Sequence, residues 1–231
     1  MKKILILFII ALIALTGCQT SENTINVQGE SELTFEPDQA EVWAGISITK
    51  LTAEEAQTEA NTVINAIISG LKADGIAEKD IETEQLSLYE DRRWEDGISK
   101  VVGWRATQVL KIKTQDLTKV GTIVDVAVNN GANQINNINF GLTEAKEQEY
   151  KKQALAEATK SAKEKAETIA DSLGVALGKV KTVSESNYYY SPRTYALESK
   201  TDEDMAGEAA QIIPGDVTVT GRISIVYYVK S

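Results

Sequence analysis

TEAKEQEYKKQALAEATKSAKEKAETIADSLG, Thr143 to Gly174, is the stretch on which the reading of the fold turns. It predicts one long helix. Thr143 is a suitable N-cap, with a hydroxyl able to take an unpaired backbone N–H, and Glu144 sets a negative charge at the positive helix end. Gly174 adopts a left-handed backbone readily and closes the C-terminus. At 1.5 Å per residue, the roughly thirty residues between span about 45 Å. Tyr150, Ala154, Ala158, Ala162, Ala166 and Ala170 recur every four residues, a ridge of mostly small side chains flanked by Leu155, Ile169 and Leu173. Such a ridge lets the backbone approach a sheet or another helix closely. Glu147 with Lys151, Lys160 with Glu164 and Lys163 with Glu167 mark the opposite, solvated face. A structural helix covering a sheet is the plain expectation, and an oligomer contact would add to it.

Before this helix the chain reads as strands and two shorter helices. Ile25 to Phe35 alternates loosely around Gly29, which is expected to mark a bulge. Glu36-Pro37-Asp38 is a turn, and Ala40 to Thr49 is a second strand, so the two are expected to form a hairpin. Thr52-Ala53-Glu54-Glu55 is a capping box, opening a helix with Ala56, Ala60, Val63, Ile64, Ile67, Ile68 and Leu71 on one face. Ile81 to Tyr89 is a strand, Glu90 to Ser99 a charged turn region, and Val101 to Lys113 the returning strand. Tyr89, Trp94 and Trp104 lie near this hairpin. Asp116 is expected to cap a helix with Leu117, Val120, Val124 and Ala127 inward, and Gln134 to Leu142 is a strand with Ile138 and Phe140 toward the core.

After the long helix come a strand at Val180 to Ser186, an aperiodic stretch, and a last alternating strand from Val217 to Val229 that should return to the N-terminal strands. The fold class is therefore α+β: mixed sheets with a long covering helix, the middle part a βαβαβ plait-like unit inserted in a discontinuous first domain. The boundaries follow: a signal segment 1–17, a tether 18–24, a first domain of 25–100 plus 212–231, a plait-like second domain 101–187, and a Tyr- and acid-rich loop 188–211. Tyr188, Tyr189, Tyr190 and Tyr195 are the candidate partner contacts. Exposed tyrosines mark contact surfaces, and a loop tucked over the core explains them equally well. Asp202-Glu203-Asp204 reads as solvated, because its spacing lacks a calcium-loop pattern.

The N-terminus reads as a processing signal. Lys2 and Lys3 precede an apolar run from Ile4 to Leu15, too short for a comfortable membrane span but suited to a signal core. Leu15-Thr16-Gly17-Cys18 then matches the bacterial lipobox, with the Cys18 thiol as lipid acceptor. The chain is expected to be held to the membrane through lipid on Cys18, in the cell envelope. The two locations are the periplasmic side of an outer membrane and the outer face of a plasma membrane. The net charge is −10. Without Lys2 and Lys3 it is about −12, a surface that repels nucleic acid and anionic headgroups.

The chain holds 231 residues, 42% of them hydrophobic, enough for one large core or two small ones. Histidine is absent and Cys18 is the single cysteine. That removes Ser–His and Cys–His nucleophile systems, a histidine base, and His- or thiolate-based metal sites. No phosphate-cradling glycine loop is present: Gly131 and Gly141 are isolated turn residues. No cofactor, metal or catalytic residue is expected, and the alternative to a non-enzymatic protein is a carboxylate-dependent hydrolase of the cell envelope.

The order of short motifs resembles the SIMPL-domain family, the YggE-like envelope proteins. Gly29, Pro37, Asp38, Ala40 and Gly45 follow its opening pattern. Glu55, Ala56 and Asn61 match the first helix, and Gly75, Ile76, Asp80, Ile81 and Thr83 the next motif. Gly103-Trp104-Arg105-Ala106, Gly131-Ala132-Asn133, Leu177-Gly178 and Pro214-Gly215 fall in order behind them. The resemblance covers nearly all of the chain beyond Cys18. It implies an exported or envelope-associated α+β protein of a family that includes ring-forming members and is loosely linked to stress defence, with no catalytic residues to carry over; a non-enzymatic envelope module that self-associates or binds a protein partner is the expected function.

Overall fold

The computed structural model describes residues 23–95, 97–195 and 214–230. The signal segment, Cys18, most of the tether and the acid-rich stretch 196–213 lie outside the described residues. The chain forms two compact units. One comprises 23–30, 156–187 and 222–230, the other 31–155 with 188–195 and 214–221. The strands are β1 (Thr24–Phe35), β2 (Gln39–Lys50), β3 (Ile81–Glu95), β4 (Ile98–Thr114), β5 (Gln134–Gly141), β6 (Ala176–Ser191), β7 (Arg193–Tyr195) and β8 (Val217–Lys230). The helices are α1 (Ala53–Ala73), α2 (Val120–Asn129) and α3 (Glu144–Leu173). Because the cut points fall inside β1, α3, β6 and β8, each of these elements contributes to both units.

The larger unit is built on a five-stranded sheet of order β3-β4-β2-β5-β7. β2 pairs antiparallel with both β4 and β5, and β3 pairs antiparallel with β4. The run β2-α1-β3-β4-α2-β5 is thus a split βαβ plait. It begins earlier than Val101, because β2 has both edges taken by β4 and β5 and so belongs to the plait. The hairpin expected between β1 and β2 does not form for the same reason. β1 lies instead beside β8, in a three-stranded sheet of order β1-β8-β6.

Periodicity explains the core. Val42 pairs with Ile112 and Ile138, and Ala44 with Leu110, so these side chains share one face of the sheet. Ile64, Ile67 and Leu71 of α1 and Val120, Ile123 and Ala127 of α2 bury against them. The capping box is formed: the Glu55 N–H donates to the Thr52 hydroxyl at 3.2 Å, and the Thr52 N–H to Glu55 at 3.3 Å. Asp116 caps a 3-10 turn, Leu117–Lys119, that leads into α2.

The alanine ridge of α3 is buried as read: Ala154, Ala158, Ala162 and Ala166 have no exposed surface. Ile169 and Leu173, beside it, stay exposed. In the smaller unit the ridge meets β1 at Gly29. A Cβ built there would stand 1.9 Å from the Ala158 carbonyl oxygen and 2.8 Å from the Ala162 Cβ. The glycine expected to mark a bulge is therefore where strand and helix backbones touch. Antiparallel pairing of β1 with β8 shows in this unit as Val229 bonds Asn23, Ser224 bonds Asn26 and Arg222 bonds Glu30. In the larger unit the Ser31 hydroxyl donates to the Ala154 carbonyl at 2.6 Å. There Phe35 stacks on Tyr150 with ring centroids 3.6 Å apart.

Candidate contact surface

Two places in the larger unit gather side chains with functional potential: the hairpin of β3 and β4, and the ground around Tyr190.

The strands of the hairpin run further than the sequence pattern indicated. The expected turn region 90–99 is mostly strand: Arg92 pairs with Val101, Arg93 with Lys100, Trp94 with Ser99 and Glu95 with Ile98. Gly97, with φ of 77°, supplies the positive backbone angle of the tight turn. Charged side chains here sit on strand rather than loop because cross-strand partners hold them, as Lys100 holds Glu95 at 3.3 Å.

β3 is an edge strand, and its side chains are exposed along almost its whole length. Leu86 and Leu88 lie opposite Gln108 and Ala106, on the face that carries the core, yet they are 66% and 39% exposed. Tyr89 emerges on the other face opposite Arg105, and Trp94 and Ile98 stand at the tip, 75% and 62% exposed. Trp104, by contrast, packs against the core.

The charges on this hairpin are organised. Arg105 donates to Asp91 at 2.7 Å, and the Thr49 hydroxyl donates to the same oxygen at 3.0 Å. The bond from Arg105 holds the Asp91 carboxyl below its ordinary range. Lys111 lies 3.3 Å from Glu82 and 3.4 Å from Glu84, and Lys113 lies 3.2 Å from Glu82. Hydrogen bonds from Lys113 and then Lys111 hold Glu82 low. Arg92 pairs with Glu90.

At the second place, β6 runs on to Ser191 and β7 follows after Pro192, so residues 188–195 are largely strand rather than loop. Tyr188, Tyr189 and Tyr190 lie just before Ser191 at the end of β6, and Tyr195 lies on β7 opposite Ile138. Tyr189 is exposed. The Tyr190 hydroxyl accepts the Leu142 N–H at 2.7 Å. Gly141 makes room for it, since a Cβ there would stand 2.3 Å from that oxygen. Burial pushes the Tyr190 phenol up, the charges of Glu147, Glu41 and Asp38 add to this, and the Leu142 bond offsets part. A phenol kept protonated is no general base near neutral pH. Among the described residues, no group of three His, Cys, Asp or Glu stands close enough to hold a metal ion. Glu54 and Glu55 belong to the helix cap.

The hairpin surface was missed in the sequence because Leu86, Leu88 and Trp94 are interspersed with acids and arginines. One signal was available. Ile81 to Glu95 has no clean in-and-out alternation, as befits an edge strand with little to cover it.

This antiparallel α+β architecture, with its alanine-ridged helix and split plait, has known relatives. The SIMPL family, described as a protein of unknown function (DUF541), matches residues 25–227, and the chain belongs to it. A 26 kDa periplasmic immunogenic protein of Brucella melitensis biotype 1 is 30% identical, across 72% of this chain and 68% of that protein. The uncharacterized protein YggE of Escherichia coli K12 is 27% identical, across 85% and 82%. YggE of Edwardsiella ictaluri is 23% identical, across 97% and 98%.

Proposed function

We propose that this chain is a lipid-anchored protein of the cell envelope that works by self-association or by binding a protein partner, and is not an enzyme. The observation that carries the reading is the set of exposed apolar side chains on the β3–β4 hairpin: Leu86 and Leu88 on one face of its strands, Tyr89 on the other, and Trp94 and Ile98 at its tip. Water-exposed aromatic and aliphatic groups gathered in this way mark protein contact. Tyr189 offers a further exposed contact group. The envelope location draws on the lipobox at Cys18 and on the Brucella relative, which is named as periplasmic.

Two measurements test this reading. Cys18→Ser should release the protein from the membrane fraction or leave it unprocessed; a variant that fractionates and migrates like the parent sinks the anchor. For the working mode, the full chain is purified in detergent and its mass followed by light scattering across concentration, with cross-linking in intact envelopes alongside. Assembly or a specific cross-linked partner is expected. A monomer that cross-links to nothing, with a saturable hydrolytic activity lost on replacing one acid, overturns the reading in favour of the hydrolase.

A further inference from the structure

We infer that the end of the smaller unit from which the Cys18 tether leaves rests on the phospholipid surface, with Leu173, Val180 and Tyr228 at the headgroup level and Lys179, Lys181 and Lys230 toward the phosphates. The inference rests on the lipid-anchor reading and names the face of the folded chain that the anchor holds to the membrane. Five residues, Gln19 to Asn23, separate Cys18 from Thr24, where β1 begins. At about 3.3–3.6 Å per residue, even a fully extended link of this length keeps the start of β1 within about 20 Å of the acylated cysteine. Whatever path the link takes, this end of the smaller unit is confined to the membrane surface.

The end of β8, the start of β6 and the end of α3 gather at the same place. The Val229 N–H donates to the Asn23 carbonyl at 3.0 Å, which sets the end of β8 beside the start of β1. A Cβ built at Gly178 would stand 2.6 Å from the Tyr228 carbonyl oxygen, so the start of β6 touches β8 here. The Val175 N–H donates to the Ala170 carbonyl at 3.0 Å, closing α3 as the chain turns into β6. Leu173, Val180 and Tyr228 are exposed, and the Lys181 ammonium lies 5.4 Å from the centre of the Tyr228 ring. In segments 171–181 and 228–230, Lys179, Lys181 and Lys230 face one acid, Asp171. This end is therefore positive in a chain that carries −10. Tyrosine settles at the headgroup level, where its ring is apolar and its hydroxyl wet, and lysine stems lie along apolar surface while their charges reach out. Attraction of a basic end to anionic headgroups fades within a Debye length, so it acts only where the tether already holds the surface close. The same contact accounts for Leu173, the flank of the alanine ridge that the fold leaves in water.

The test uses the full chain, purified from membranes and reconstituted in vesicles of phosphatidylethanolamine and phosphatidylglycerol, with circular dichroism for fold. Leu173→Cys and Val180→Cys are made in separate chains, with Lys163→Cys, exposed on α3 in the same unit, as the control. Lipid on Cys18 leaves the new thiol as the one that takes a nitroxide label. The ratio of oxygen to nickel-chelate accessibility at 173 and 180 is expected to exceed that at 163 by about threefold or more. Lys179→Glu, Lys181→Glu and Lys230→Glu made together should return the ratio at 180 to the control value, while the chain still sediments with the vesicles through its lipid. A chain that binds the vesicles while all three labels read alike overturns this surface and leaves the anchor standing. Immersion unchanged by the three charge reversals overturns the headgroup contact. Shielding that follows protein concentration rather than lipid assigns the face to a second copy and overturns the inference. A parent that carries no lipid and stays off the vesicles overturns the anchor reading, and this inference with it.

Discussion

The Asp38 carboxylate holds Thr143 by two bonds, one from its backbone N–H at 2.6 Å and one from its hydroxyl at 2.8 Å. Asp38 lies in the turn before β2, and Thr143 immediately precedes α3. The acid therefore satisfies an end-group donor of the helix and places negative charge at its positive end. The Asp38 N–H also donates to the Gly141 carbonyl at 3.0 Å, which fixes the turn against the end of β5. Asp38→Ala should cost about 1–2 kcal/mol in urea unfolding, the range of a lost cap. Asp38→Asn should retain part of it. An alanine variant as stable as the parent would show that the bond does not support the helix.

The ridge of α3 predicts a contrast on one helix. Ala162 is fully buried, with Gly29 against it, so Ala162→Leu forces its new carbons into backbone and should cost about 1–3 kcal/mol or more. Glu164 is exposed on the same helix, and Glu164→Ala should stay within about 0.5 kcal/mol. Equal thermal midpoints for the two variants contradict the packing described.

Tyr190→Phe removes the acceptor of the Leu142 N–H and leaves the donor of a buried residue unpaired, at a cost of about 1–3 kcal/mol. Tyr190 also predicts an alkaline limb. Its folded phenol lies above the ordinary value of 10.0, so the unfolded chain loses its proton first as pH rises. Stability that is full below about pH 10 then falls as pH climbs toward the folded value. Urea midpoints measured upward from pH 9 should drop more steeply for the parent than for Tyr190→Phe. Parallel curves rule Tyr190 out as the source.

Asp91 works in the opposite sense. Arg105 holds it below its ordinary value of 3.8, so its contribution is present above that value and is lost as pH falls through the lower, folded value. Arg105→Gln removes the main cause. The acid limb of a stability profile should flatten in that variant, and an unchanged limb shows that this part-buried pair contributes nothing measurable.

Local periodicity was enough for much of this protein. Ala154 to Ala170 recur every four residues, and that spacing alone determines a helix with one small, burial-ready face. The capping box at Thr52, the apolar face from Ala56 to Leu71 and the alternation from Val217 to Tyr227 are equally local, because each depends on backbone geometry within a few residues. Those patterns established the α+β class and the elements of the plait. Which strand pairs with which is another matter. Glu36-Pro37-Asp38 reads as the turn of a hairpin, yet it carries the chain from one sheet to another. Pro37 sets only a backbone angle, whereas strand pairing follows from which hydrogen-bonding edges other strands have taken, and β4 and β5 take both edges of β2. The same holds for function. Side-chain alternation reports burial only where some distant element supplies a cover, and for β3 little does. The sequence carries Leu86, Leu88 and Trp94 without saying whether they are core or surface. Only the tertiary structure decides it, by placing β3 at the edge of its sheet and turning Tyr190 inward to close on Leu142.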